Sequence, residues 1–174
     1  MFCSLAALAL SSCSSTTSYY PTGGESYAAG PPPDFAARMG STIGIQEKVI
    51  VVDPSVHAWA AYENGTLVKA GQASSGADFC PDIGRACRTT VGSFRIQSLG
   101  SPDCVSRKFP IGRGGSPMPY CMYFTHGIAL HGVPENEVGE GNFSHGCVRM
   151  HVSDAEWVRY EFANVGTKVI VKSY

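Results

Sequence analysis

Asn64-Gly65 stands between two apolar stretches, HAWAAY and TLVKAG, and constrains the fold more than any other dipeptide in the chain. A two-residue type I′ turn needs φ > 0 at both central positions, which Asn and Gly tolerate, so the flanking stretches are expected to pair as antiparallel strands. The run KVIVVDP just before them is β-branched and ends at Pro54. Further strands are expected in Val91–Leu99, Tyr120–Thr125, Gly127–Gly132 and Thr167–Ser173. One segment, SDAEWVRYEFANVG, reads as a helix, with Ser153 and Glu156 as a capping box and Gly166 as the stop. The fold class is therefore mainly β, a sandwich or partial barrel with one helix packed on it. No internal repeat at solenoid or propeller period is present.

A chain of 174 residues that is 44% hydrophobic and 16% charged suits one globular core. Thirteen basic residues against fourteen acidic ones give a net charge of −1, which offers no electrostatic footprint for nucleic acid. The opening MFCSLAALALSS is apolar, small and too short to span a hydrocarbon layer, and reads as an export signal although no Lys or Arg precedes it. LSSC, Leu10 to Cys13, resembles the lipobox of bacterial lipoproteins, which implies lipidation of Cys13 and anchoring to a membrane surface. Ser14 stands where an Asp would favour retention at the inner membrane, so an outer-membrane, periplasmic location is favoured. The next stretch, SSTTSYYPTGGESYAAGPPPD, cannot bury enough apolar surface to offset its chain entropy. The expected organisation is a signal over residues 1–12, a tether over 13–40 and a folded domain over 41–174.

An exported compartment permits disulfides. Of seven cysteines, Cys3 lies in the signal, Cys13 in the lipobox and Cys147 in a His- and Gly-rich motif, which leaves Cys80, Cys87, Cys104 and Cys121. Four cysteines allow three pairings. Cys80–Cys87 with Cys104–Cys121 is the simplest, since each pair brackets a Gly/Pro-rich loop, and Cys147 is then the free thiol.

FSHGCVRMH, Phe143 to His151, places Cys147 two residues after one histidine and four before another. A cysteine attacks as its thiolate and needs a base or a positive environment, which histidine supplies near neutral pH. His126, His131, His145 and His151 all fall in the last third of the chain, and Gly127, Gly132 and Gly146 follow three of them. Glycine lets backbone N–H groups approach a substrate oxygen closely. Three readings compete: a buried structural cysteine, a zinc site and a nucleophile for acyl transfer. The His126/His131 and His145/Cys147 spacings fit no common zinc pattern. The residues alone leave open which histidine would be the base.

HGVPENEVGEGNFSHGCVRM resembles the active-site signature of the L,D-transpeptidases (the YkuD fold), matching at His131, Gly132, Ser144, His145, Gly146, Cys147, Val148 and Arg149. The resemblance runs from about Lys48 to Tyr174 and includes TTVGSFRI, where Val91 replaces the family's usual proline. It implies a YkuD-like β-sandwich with a helix after the motif. It also implies Cys147 as nucleophile, His131 as base and acid, the Gly132 carbonyl as orienter of the imidazole, and the amides of His145, Gly146 and Cys147 as oxyanion hole. Arg149, Ser144 and Tyr123 are expected to contact substrate, and Phe124 to wall the groove beside Tyr123. His57, His126 and His151 are expected to be surface or structural groups. The implied substrate is a peptidoglycan stem tetrapeptide cut between its diamino acid and terminal D-Ala. No metal or cofactor is required, and carbapenem-type inhibitors are expected to acylate the thiol. An L,D-carboxypeptidase passing the thioester to water, and a non-catalytic wall-anchoring lipoprotein, are the alternatives.

Overall fold

The computed structural model describes residues 33–174; the expected signal, Cys13 and most of the tether lie outside the described residues. Among the described residues, nine strands form two sheets. The first has the order β3-β2-β1-β9-β4 and the second β5-β6-β7-β8, with β1 Val49–Asp53, β2 Ala58–Glu63, β3 Thr66–Gln72, β4 Gly92–Arg95, β5 Ser98–Leu99, β6 Met122–Thr125, β7 Ile128–Val133, β8 Val148–His151 and β9 Lys168–Val171.

The β2–β3 hairpin forms as expected, with Asn64 at φ 50° and Gly65 at φ 78° closing the Glu63–Thr66 pair. β1 is buried at every position, because both faces of its sheet are covered. On one face Ile50 and Val52 join Trp59, Met122, Phe124, Leu130, Val148 and Val169 in the main core between the sheets. On the other, Val49 and Val51 pack with Met39, Ala58, Ala60 and Tyr62. That second cluster carries a short helix, α1 Phe35–Met39, capped by the Asp34 carboxylate on the Ala37 N–H. The Tyr62 hydroxyl donates to the carbonyls of Met39 and Gly40. The packed domain thus begins before residue 41: α1 falls inside the segment read as tether, because Phe35 and Met39 supply an apolar face that its Gly- and Pro-rich neighbours lack.

The segment after the motif differs from its sequence signals at both ends. α2 spans Val152–Trp157 with His151 at the N-cap and no side-chain cap, so Ser153 does not close a capping box. A π turn over Val158–Phe162 follows, sealed by the Ala163 N–H on the Val158 carbonyl. Ala155, Val158 and Phe162, spaced three and four residues apart, carry the face that enters the core. Gly166 lies beyond the helix, at φ 95°, in the turn leading into β9. β8, four residues long with alternating burial, carries too little periodicity to stand out in the sequence.

Two disulfides close the long excursions: Cys80–Cys87 in the segment between β3 and β4, and Cys104–Cys121 in the segment between β5 and β6. Cys147 is free.

Candidate active site

β7 and β8 run parallel, with Leu130 opposite Val148 and His131 opposite Arg149. Leu130 and Val148 face the core, so His131, Arg149 and, by the two-residue repeat of an extended chain, Cys147 share the other face. His131 and Cys147 are therefore diagonal neighbours on adjacent strands, a separation that long side chains bridge.

The His131 ring is buried, and its Nδ1 lies 2.9 Å from its neighbour Gly132's carbonyl oxygen. A carbonyl accepts only, so Nδ1 carries the proton and Nε2 keeps its lone pair. Burial pushes the His131 pKa down to about 4; the hydrogen bond to Gly132 opposes this and the Arg149 charge reinforces it. Gly132 is also required sterically: a Cβ there would meet Val152 Cα at 3.0 Å and Pro119 Cγ at 3.3 Å.

Cys147 is half-buried and packs with Met118, Cys121, Ala129 and Tyr123. Burial pushes its thiol pKa up, while the Ala129 N–H and the Arg149 charge pull it back. Opposite shifts in thiol and imidazole make the resting pair neutral, a thiol beside a free base rather than a preformed ion pair.

Gly146 sits at φ 121°, a conformation that disfavours any side chain. Its N–H donates to Ser144 Oγ at 3.0 Å, Ser144 Oγ donates to the Cys147 carbonyl, and the Gly146 carbonyl accepts from Thr89 Oγ1 at 2.9 Å. Ser144 is fully enclosed and its hydroxyl is used within the turn. It braces the motif, so the hydroxyl expected to contact substrate is occupied within the turn, while the residue itself borders the groove. The Gly146 amide is engaged as well, whereas the His145 and Cys147 amides bond to no acceptor among the described residues.

His145 is not directed at the sulfur. Its Nε2 lies 2.7 Å from Asp82 Oδ2 and 2.9 Å from Oδ1, and its ring packs against Phe109 at 4.3 Å between centroids, tilted by 36°. Asp82 belongs to the Cys80–Cys87 loop and Phe109 to the Cys104–Cys121 loop, so both disulfide-closed loops meet at this one imidazole. Neither partner is legible in the sequence, since no local pattern links positions 63 and 36 residues from His145.

Tyr123 lies half-buried on β6; burial and the nearby Cys147 raise its pKa and Arg107 lowers it. Phe124, next in the strand, points into the main core and does not wall the groove. Arg149 makes only a long contact, 3.9 Å, to Glu137. His57 pairs with Glu140 and His151 with Glu135, both away from the sulfur, while exposed His126 borders the groove. Among the described residues the one grouping with metal-ligand potential is Cys80, Asp82 and His145, and there Cys80 is committed to a disulfide and supplies no thiolate. Cys147, His131, Tyr123 and Arg149 line a groove of about 1040 Å³.

Residues 47–171 match the family model described as the L,D-transpeptidase catalytic domain, YkuD. No curated protein matches. Among solved structures, the chain resembles an L,D-transpeptidase (residues 123–326) from Xylanimonas cellulosilytica, with 24% identity and a TM-score of 0.61, over 78% of this chain and 67% of that one. It resembles an L,D-transpeptidase from Mycobacterium smegmatis at 25% identity and a TM-score of 0.60, over 73% and 59%. It also resembles L,D-transpeptidase 3 from Mycobacterium tuberculosis in complex with a faropenem-derived adduct, at 23% identity and a TM-score of 0.59, over 72% and 60%. The chain thus spans about three fifths to two thirds of the length of these structures. With the family model matched over well beyond half of its length, and with His131, Cys147 and Arg149 of the motif on one face of β7 and β8, the chain belongs to the L,D-transpeptidase catalytic-domain family, YkuD.

Proposed function

We propose that the protein is a peptidoglycan L,D-transpeptidase that works through a Cys147 thioester. The observation that carries the reading is the His131 Nδ1 contact with the Gly132 carbonyl, which leaves Nε2 as the base on the face that β7 and β8 share with Cys147. As the sulfur attacks the carbonyl between the diamino acid and the terminal D-Ala, the thiol proton passes to Nε2. The amides of His145 and Cys147 receive the developing oxyanion. Collapse returns the proton from His131 to the leaving amine, D-Ala departs, and the peptide remains as a thioester. An amine acceptor then attacks, gives its proton to His131 and frees the sulfur.

Carbapenem-type compounds are expected to acylate Cys147, a reading supported by the imipenem complex of one related L,D-transpeptidase and, for the related penems, by the faropenem-derived adduct of another. The lipobox-like LSSC supports a periplasmic protein anchored through Cys13 on a membrane surface, tested by whether Cys13→Ala moves the protein to the soluble fraction.

Incubation with muropeptides, read by mass spectrometry, tests the function: released D-Ala together with a new cross-link or exchanged amine is expected. D-Ala release with water as sole acceptor would instead establish the carboxypeptidase. Intact mass after exposure to a carbapenem should show one adduct, and an adduct persisting in Cys147→Ala overturns the nucleophile.

A further inference from the structure

The groove around Cys147 is far more basic than the chain that forms it. Its charged lining comprises Arg85, Arg88, Arg107, Lys108 and Arg149 against one carboxylate, Glu137, although the whole chain carries a net charge of −1. Two of the five cations are accounted for: Arg88 pairs with Asp78 at 2.7 Å, and Arg149 makes the long contact to Glu137. Arg85, Arg107 and Lys108 form no ion pair with carboxylates among the described residues.

These three cations are presented from fixed backbone. Arg85 lies in the Cys80–Cys87 loop, where its carbonyl accepts from the Cys80 N–H at 2.9 Å. Arg107 and Lys108 lie in the Cys104–Cys121 loop, on a turn braced by Ser106 Oγ, which accepts from the N–H groups of Lys108 and Phe109. The Phe109 ring at the end of that turn rests on His145. Arg107, Tyr123 and Cys147 line the same groove, and the Arg107 charge reaches the Tyr123 phenol. Cations clustered in a walled cleft focus their field on whatever occupies it. Each unpaired guanidinium also offers a planar fork of donors matched to a carboxylate and not to a carboxamide.

We propose that Arg85 and Arg107 are specificity determinants that select an acyl donor bearing free carboxylates, so that a peptide whose diamino acid carries a free side-chain carboxylate is used in preference to its carboxamide counterpart. The inference rests on the thioester reading above and adds to it which chemical form of the peptide is chosen. Selection acts mainly through KM, since the charge recognised lies off the reacting carbonyl and is present in ground and transition states alike.

The test uses two synthetic tetrapeptides differing only as carboxylate or carboxamide at the diamino acid, with release of the terminal D-amino acid as readout. Wild type is expected to favour the carboxylate by about tenfold in kcat/KM at low salt, an advantage that shrinks as ionic strength rises. Arg85→Gln and Arg107→Gln should each pull the ratio toward one, and the double variant should abolish it. Arg113→Gln, on the same loop as Arg107 but outside the groove lining, should leave the ratio intact. Equal use of both peptides by wild type, or an equal collapse in Arg113→Gln, overturns selection by the groove while leaving the thioester reading standing. Release from neither peptide overturns the thioester reading itself.

Discussion

Asp82 holds the imidazole of His145 through both carboxylate oxygens, at 2.7 and 2.9 Å, two residues from Cys147. The histidine nearest in sequence to Cys147 is thereby tied to a loop from another part of the chain. The histidine sixteen residues upstream is the buried one that shares the β7–β8 face with Cys147, with its Nδ1 fixed on the Gly132 carbonyl.

His131→Ala is therefore expected to lower single-turnover acylation by about 10²–10⁴ at neutral pH, the usual cost of losing a general base, and to recover partly as pH rises and the thiol ionises unaided. His145→Ala should retain more activity. The assignment fails if His145→Ala shows the alkaline rescue and His131→Ala behaves as wild type.

The depressed His131 pKa makes folding stability depend on pH. With a folded value of about 4 against 6.5 unfolded, the unfolded chain binds the proton first, so the neutral buried ring costs nothing above pH 6.5. Its penalty grows as pH falls from 6.5 to 4 and is constant below. Between those limits wild type should lose on the order of 3 kcal/mol more than His131→Gln, measured by urea unfolding at fixed pH values. Parallel curves for the two proteins would contradict a neutral buried imidazole.

Arg149 lowers the pKa of both Cys147 and His131 by its charge. In Arg149→Met both should titrate higher, so the alkaline rise in alkylation of Cys147 by iodoacetamide should move to higher pH. A profile unchanged from wild type would show that Arg149 exerts no field at the sulfur.

Ser144→Ala removes the hydroxyl that links the Gly146 N–H to the Cys147 carbonyl. Leaving a buried amide and carbonyl unpaired costs about 1–3 kcal/mol, so thermal unfolding should come several degrees lower. The substrate KM of the folded variant should change less than kcat, because the turn orients the amides and does not touch the peptide; a KM effect alone would return Ser144 to substrate binding.

Cys80, Cys87, Cys104 and Cys121 are bridged, so thiol titration of residues 33–174, denatured without reductant, should find one free cysteine, Cys147. Cys104→Ser with Cys121→Ser should cost about 2–4 kcal/mol and loosen the turn that carries Arg107. Five free thiols in protein recovered from an oxidising compartment would refute the pairing.

Local chemistry was legible in the sequence wherever neighbours along the chain decide it. Asn64-Gly65 marked its hairpin because a tight turn is a two-residue problem. The β-branched run after Lys48 marked β1, and His131, Gly132 and Cys147 stood out through a motif whose spacing survives in one dimension. The start of α2 misled because Ser153 and Glu156 have capping spacing, yet β8 runs directly into the helix and leaves His151 at the cap. α1 was hidden in a polar tract because Phe35 and Met39 acquire an apolar partner only when β1 and β2 lie beneath them. Tertiary structure alone decided that Ser144 turns inward, that Phe124 belongs to the core, and that Asp82 and Phe109 converge on His145. It also decided that five basic side chains from three stretches of a nearly neutral chain share one groove. Contacts of this kind join residues tens of positions apart, and only the pairing of strands and the closure of loops sets their distances.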